Sequence, residues 1–258
     1  ALGNPHIVTP TMDWLVANGT TFRNAYIMGG SHEAVCMPSR AMIMTGRTLF
    51  HIEQSGETIA RDHVMLGEAL REAGYTTFAT GKWHNSPASY ARSFTAGGEI
   101  FFSGMDDHWN VPVCDFDPTG EYAQRNYQTV DFVKQKVLQK IYDHIHAGKH
   151  SSELFSETAI DFLRSYDSDK PFFAYVAFMA PHDPRTMPGE YLAMYDPARL
   201  PLPGNFLPQH PFDNGEMTVR DELLAALPRD PDEVRRHLAA YYGMITHLDV
   251  QMGRIINT

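Results

Sequence analysis

The chain has 258 residues, 43% hydrophobic and 20% charged, the balance of an ordinary soluble globular protein long enough to bury one large core. Its formal net charge is −10 and its Lys and Arg residues are scattered, so it repels polyphosphates at long range and no nucleic-acid partner is expected. No apolar run approaches the length of a membrane span.

The opening Ala1-Leu2-Gly3-Asn4-Pro5 has no signal-peptide pattern and reads as the interior of a longer protein. Thr9 as N-cap and Pro10 at the first position predict a helix that Gly19 ends, with Met12, Leu15 and Val16 as its apolar stripe. Residues 20–28 read as a short strand or extended segment leading to Gly29-Gly30 and then to Cys36.

From Cys36 the chain reads Cys36-Met37-Pro38-Ser39-Arg40-Ala41-Met42-Ile43-Met44-Thr45-Gly46-Arg47. Pro38 suits the first residue of a helix, because its missing N–H would have no partner there, and Gly46 suits the stop. That places Cys36, Ser39 and Arg40 at a helix N-terminus, where free N–H groups and the helix dipole favour an anion. A buried cysteine packed at a helix–loop junction is the plainer reading of Cys36 taken alone. The other cysteine is Cys114, and both are read as unpaired.

Residues 66–73 predict a second amphipathic helix stopped by Gly74, and 75–80 a β-branched and aromatic strand that delivers Gly81-Lys82-Trp83-His84 to its end. A helix, a glycine turn and a strand make half of a parallel α/β unit, in which ligands sit beyond the carboxyl ends of strands. Residues 86–128 show no sustained period and read as a long irregular stretch. Within it, Asp106-Asp107-His108-Trp109-Asn110 fits either a polar pocket or a solvated loop.

Residues 130–146 carry Val133, Val137, Ile141 and Ile145 at helical spacing and predict a peripheral helix. Another helix is predicted over 151–166, packed through Leu154, Phe155, Ile160, Phe162 and Leu163. After Lys170-Pro171, the apolar run 172–180 predicts a strand buried on both faces, ending in Pro181-His182-Asp183-Pro184-Arg185. Prolines through residue 211 mean loop. Asp230-Pro231 then opens a long helix striped by Val234, Leu238, Tyr241, Ile245, Leu248, Met252 and Ile255. No internal repeat, low-complexity tract or linker is visible. The fold class expected is α/β, a largely parallel central sheet with helices on both faces.

The run from Cys36 to Arg47 resembles the signature of the type I sulfatases, in which the cysteine of Cys-x-Pro-Ser-Arg is oxidised to formylglycine. Thr9-Pro10-Thr11-Met12-Asp13-Trp14-Leu15 ahead of it, and Gly81-Lys82-Trp83-His84 and Pro181-His182 behind it, follow the same family's order. The resemblance implies an alkaline-phosphatase-like fold and a sulfuric ester hydrolase. Its nucleophile would be a formylglycine gem-diol at Cys36 that also binds a calcium ion (Ca2+), and a covalent sulfo-enzyme would follow. Arg40 would brace the nucleophile, Lys82 would contact it and the sulfate, His84 would take its proton during sulfate release, and His182 would protonate the leaving group. These residue types suit the task, since a sulfate ester's transition state needs cationic groups around its oxygens and a histidine moves protons near neutral pH. The partners implied are a sulfated small molecule or glycan and a formylglycine-generating maturation enzyme, in the periplasm or secreted.

In that family the calcium is held by an Asp-Asp pair after the first strand and an Asp-Asn or Asp-His pair after a later one, and neither is visible here. Residues 1–258 are therefore expected to be the front and middle of one catalytic domain, truncated at both ends and inactive alone. Asp213-Asn214-Gly215 is a minor candidate for the metal pair. Two alternatives stay open: a phosphonate or phosphate ester hydrolase of the same superfamily, and a noncatalytic carbohydrate-binding relative. Asp183 and Arg185 suit contacts to a sugar hydroxyl or carboxylate, or a turn salt bridge, and the aromatic and acidic residues of 101–117 suit a carbohydrate subsite.

Overall fold

A computed structural model describes residues 2–30, 35–52, 56, 58–122, 126–131, 136–213 and 215–258. Two compact units form, one of residues 1–19 with 180–250 and the other of 20–179 with 251–258.

The larger unit is built on three parallel strands in the order β2-β1-β7, namely Thr76–Lys82 (β1), Ala96–Phe101 (β2) and Phe172–Ala177 (β7). Alternation along β1 sends neighbouring side chains to opposite faces. Phe78 stacks on Phe162 of helix α5 (Ser151–Ser165) at 4.1 Å between ring centroids, while the Thr77 hydroxyl donates to the carbonyl of Ser93 in helix α4 (Pro87–Ser93). Helices thus cover both faces, as the sequence predicts. On the α4 side the core gathers Trp83, Tyr90, Phe94, Met65 and Ile100, with Ala41 and Met44 of helix α2 (Cys36–Thr45).

Between Thr80 and Gly81 the register of β1 against β2 shifts, and Glu99 is the extra residue, with φ +49°. Beyond it, Ile100 bridges Cys114, next to the short strand β3 (Pro112–Val113), which pairs antiparallel with β6 (His144–Ile145). Strands β4 (Asn126–Asp131) and β5 (Lys136–Ile141) form a separate antiparallel pair.

Several expectations change. Residues 86–128 are only partly irregular: they contain α4, β2, β3 and the start of β4. Where the helix over 130–146 is expected, the described residues form strand at 130–131, 136–141 and 144–145, and Val133 lies outside the described residues. A spacing of four puts residues on one face of a strand as well as of a helix, so that pattern could not decide, and β-branched Val and Ile favour the strand. β7 flanks β1 rather than lying deep in the sheet, and most of its residues are half-buried. No strand forms over residues 20–28.

In the smaller unit, α1 (Pro10–Asn18) starts where expected, but Thr9 gives no side-chain cap and the helix buries none of its residues. The cap is Asp249 from the long helix α7 (Pro231–Ile256), whose buried carboxylate accepts from the N–H groups of Thr11 (2.9 Å) and Met12 (2.7 Å). The residues of α7 buried in this unit include Ala239, Met244, Thr246, His247, Leu248 and Asp249, whereas Tyr241 of the expected stripe is exposed. Tyr195 completes this polar core by hydrogen bonding Thr246 and Val8 N–H. Asp249→Ala should lose both charge-assisted caps and lower stability by about 1–3 kcal/mol. Denaturant titration of the full-length protein tests this, and an unchanged midpoint would refute the capping role.

Candidate active site

Helix α2 begins at Cys36 itself, so Pro38 is its third residue rather than its first. The first-turn logic survives, because a proline there still forfeits no intrahelical hydrogen bond. Gly46 ends the helix in the left-handed region, at φ +64°, with its N–H on the carbonyl of Met42. The N-cap residue, Val35, makes no side-chain cap, and the positive end of the helix dipole falls at Cys36. Arg40, one turn on, points along the same face.

Strand β1 brings the second half. Gly81 and Lys82 are its last residues, and the chain then turns through Trp83 and His84, the latter at φ +64°. Trp83 anchors the turn: it is buried, and its indole N–H meets the Ser86 carbonyl and the Ser89 hydroxyl, each at 2.8 Å. A left-handed residue other than glycine is costly and persists only when its surroundings hold it. Here it aims the imidazole at α2, and His84 Nδ1 lies 3.3 Å from Cys36 Sγ. On the ring's other side Gly104 leaves the necessary room, since a Cβ there would sit 2.8 Å from His84 Cε1.

Two cations join this pair. The Arg40 guanidinium donates through Nη1 to the carbonyl of Lys82 and to the hydroxyl of Tyr175 at 3.3 Å. Lys82 is buried, 3% exposed, and its ammonium donates to the Gly104 carbonyl. Burial pulls the Lys82 pKa down to about 8; Cys36 opposes that shift and Arg40 reinforces it. Buried Asn85 ties the two halves, donating to the carbonyls of Met37 in α2 (3.0 Å) and of Gly56. The structure therefore brings together Cys36, Arg40, Lys82 and His84.

His182, the fifth expected residue, belongs to the smaller unit, with Nδ1 3.1 Å from Asp183 Oδ1. Asp183 also pairs with Arg220, so it makes a loop salt bridge, with Arg220 rather than Arg185. Asp106 pairs with Lys140, Asp107 folds back on Asn110, and His108 is buried against Ser151 and stacked on His150. Asn214 of the minor metal candidate lies outside the described residues, and Asp213 accepts from the Gly215 N–H. Neither Cys36 nor Cys114 is joined in a disulfide, as expected.

Sequence reasoning missed Tyr175 and Asn85. The available signals were a lone hydroxyl in an otherwise apolar strand and an amide directly after the Lys82–His84 turn. Neither group of three metal-ligating side chains among the described residues includes Cys36. The described donors at this point, the Cys36 sulfur and the His84 imidazole, do not by themselves fit a calcium ion, which takes oxygen ligands.

The whole chain, residues 1–258, matches the protein-family model Sulfatase. It is 27% identical to an arylsulfatase of Clostridium perfringens, over 98% of this chain and 54% of that protein. It is also 27% identical to an N-acetylglucosamine-6-O-sulfatase of Bacteroides thetaiotaomicron, over 79% of this chain and 31% of that protein. The chain thus spans about a third to a half of the length of these curated relatives. The phosphonate monoester hydrolase of Agrobacterium radiobacter has the same fold, with a TM-score of 0.63 at 18% identity over 100% of this chain and 55% of that one. Given this match along its full length, and the Cys36, Arg40, Lys82 and His84 cluster at the end of β1, the chain belongs to the sulfatase family.

Proposed function

We propose that the protein is a sulfuric ester hydrolase that releases inorganic sulfate through a nucleophile made from Cys36. The observation that carries this reading is the 3.3 Å approach of Cys36 Sγ to His84 Nδ1 at a helix N-terminus, beside Arg40 and the buried ammonium of Lys82. That arrangement suits an anion with a nucleophile beneath it. The thiol stands where the hydrated aldehyde of formylglycine would lie after oxidation by a maturation enzyme. One hydroxyl of that hydrate would attack sulfur, and the alcohol would depart with a proton from a general acid. A covalent sulfo-enzyme remains. His84, adjacent to the residue 36 side chain, takes the proton of the second hydroxyl, which expels sulfate and restores the aldehyde. Lys82 and Arg40 hold the nucleophile and offset the charge on the sulfate oxygens.

A sulfated carbohydrate is the proposed substrate class, supported by the N-acetylglucosamine-6-O-sulfatase among the relatives. The same reading makes the protein periplasmic or secreted, and no described helix is long and apolar enough to cross a membrane. The test pairs two measurements on the full-length protein co-expressed with a maturation enzyme. Peptide mass should show Cys36 converted to the aldehyde, and sulfate esters should be cleaved faster than matched phosphate or phosphonate esters. Faster phosphoester cleavage would make it a phosphoester hydrolase, and an unconverted, inactive protein would make it a binding relative.

A further inference from the structure

We propose that Glu99, His144 and His146 form a binding site for a zinc-class divalent transition metal, separate from the Cys36 centre. The three residues come together by strand geometry. His144 lies on β6 and His146 just beyond it, and a spacing of two puts both imidazoles on one face of an extended chain. β6 pairs with β3 (Val113↔His144), and Cys114, next along from β3, bridges Ile100 of β2. That ladder sets Glu99, the residue before Ile100, opposite the histidine pair.

Glu99 is the extra residue of the β2 bulge and sits at φ +49°, a backbone conformation that glutamate adopts only under constraint. A bulge re-aims a side chain. Here it aims the carboxylate between two imidazoles, with Oε2 3.0 Å from His144 Nε2 and Oε1 3.0 Å from His146 Nε2. The two rings stand nearly perpendicular, 89° apart, with centroids separated by 5.0 Å. All three donor atoms lie within 4.8 Å of one another.

The donor chemistry selects the metal. Two imidazole nitrogens and one carboxylate oxygen suit zinc and its neighbours, whereas calcium and magnesium prefer oxygen alone. Each imidazole nitrogen lies 3.0 Å from a Glu99 oxygen, close to the separation of neighbouring ligands around a metal with bonds of roughly 2 Å, and a modest rearrangement would bring all three donors onto one ion. The carboxylates of Asp115 and Asp143 also gather on His144, their donor atoms within 4.8 Å of it and of each other. They add the negative charge and outer carboxylates that orient metal-bound histidines. Glu99 is 17% exposed, His144 31% and His146 44%, so the ion has a route in from solvent and a fourth position for water. Without metal the carboxylate hydrogen-bonds the two rings; the metal takes the place of those protons and staples the β2 bulge to β6.

The test is zinc titration of the tag-free full-length protein, alone and with excess calcium, with cobalt as a spectroscopic probe. One equivalent of zinc should bind and raise the melting temperature, calcium should not displace it, and cobalt should show the absorption of a four-coordinate site. Cys36→Ser should leave this binding unchanged. His146→Ala and Glu99→Gln should each weaken it by roughly tenfold or more. His146 is the most exposed of the three, so its variant tests the site with least effect on packing, and its melting curve in chelator should match the parent's. Zinc binding equal in the parent and in both variants, or lost only in Cys36→Ser, would overturn the proposal.

Discussion

Cys36→Ala, made in the full-length protein, is expected to abolish sulfate release, a loss of about 10⁴-fold or more, the order reached when a catalytic constellation loses its nucleophile. The side chain is half-buried at the first position of α2, where alanine is an excellent helix former, so stability should change by only about 0.5 kcal/mol. Arg40 and Lys82 remain, and so does the helix N-terminus, so a sulfate ester should still bind. Loss of turnover with retained binding would separate the nucleophile from the anion site around it. Ion chromatography of released sulfate and a calorimetric titration with the same ester measure the two quantities. Turnover within tenfold of the parent would remove Cys36 from the mechanism.

Much of this site was legible because it is local in sequence. The helix starting at Cys36 needs only a proline, an apolar turn and the terminal Gly46, and the delivery of Lys82 and His84 needs only the β-branched run before them. What was hidden depends on distant partners. Asp249 caps a helix some two hundred residues earlier in the chain, and nothing in the sequence around Thr9 reports it. Tyr175 reaches Arg40 only because β7 lies in register beside β1. β2 escaped detection for a different reason: its Ala-Gly-Gly-Glu start has little strand propensity. Its Gly97 is kept small by the Tyr90 hydroxyl, which crosses the strand to reach the Ala79 carbonyl. Packing, not local preference, makes that segment a strand. Along 130–146 the four-residue spacing was compatible with both structures, and only the observed pairing of Asn126–Asp131 with Lys136–Ile141 decides.

Lys82→Met should make the protein more stable and far less active. Burial holds the Lys82 pKa at about 8 against its ordinary 10.5, so keeping the ammonium charged inside the fold is unfavourable. Between those two values the unfolded chain binds a proton that the folded chain does not, so stability rises with pH across that window. Below about pH 8 the full penalty is present, about 3 kcal/mol. Methionine has similar length and no charge, and removes the penalty. It also leaves the Gly104 carbonyl without its donor, which returns about 1–2 kcal/mol. The net expectation, with Cys36 left as the thiol, is a gain of about 1–2 kcal/mol at pH 7 and a flatter stability profile from pH 8 to 10. Turnover of the converted enzyme should fall by about 10²-fold or more, because one of the two cations facing the sulfate oxygens is gone. A buried cation retained at a cost to stability is a mark of function rather than of folding. An anionic ester bound beside Lys82 restores the favourable field that burial removes, so the free site is poised for an anion. If Lys82→Met is less stable at pH 7 or keeps near-parental turnover, Lys82 is a packing residue whose charge faces no substrate.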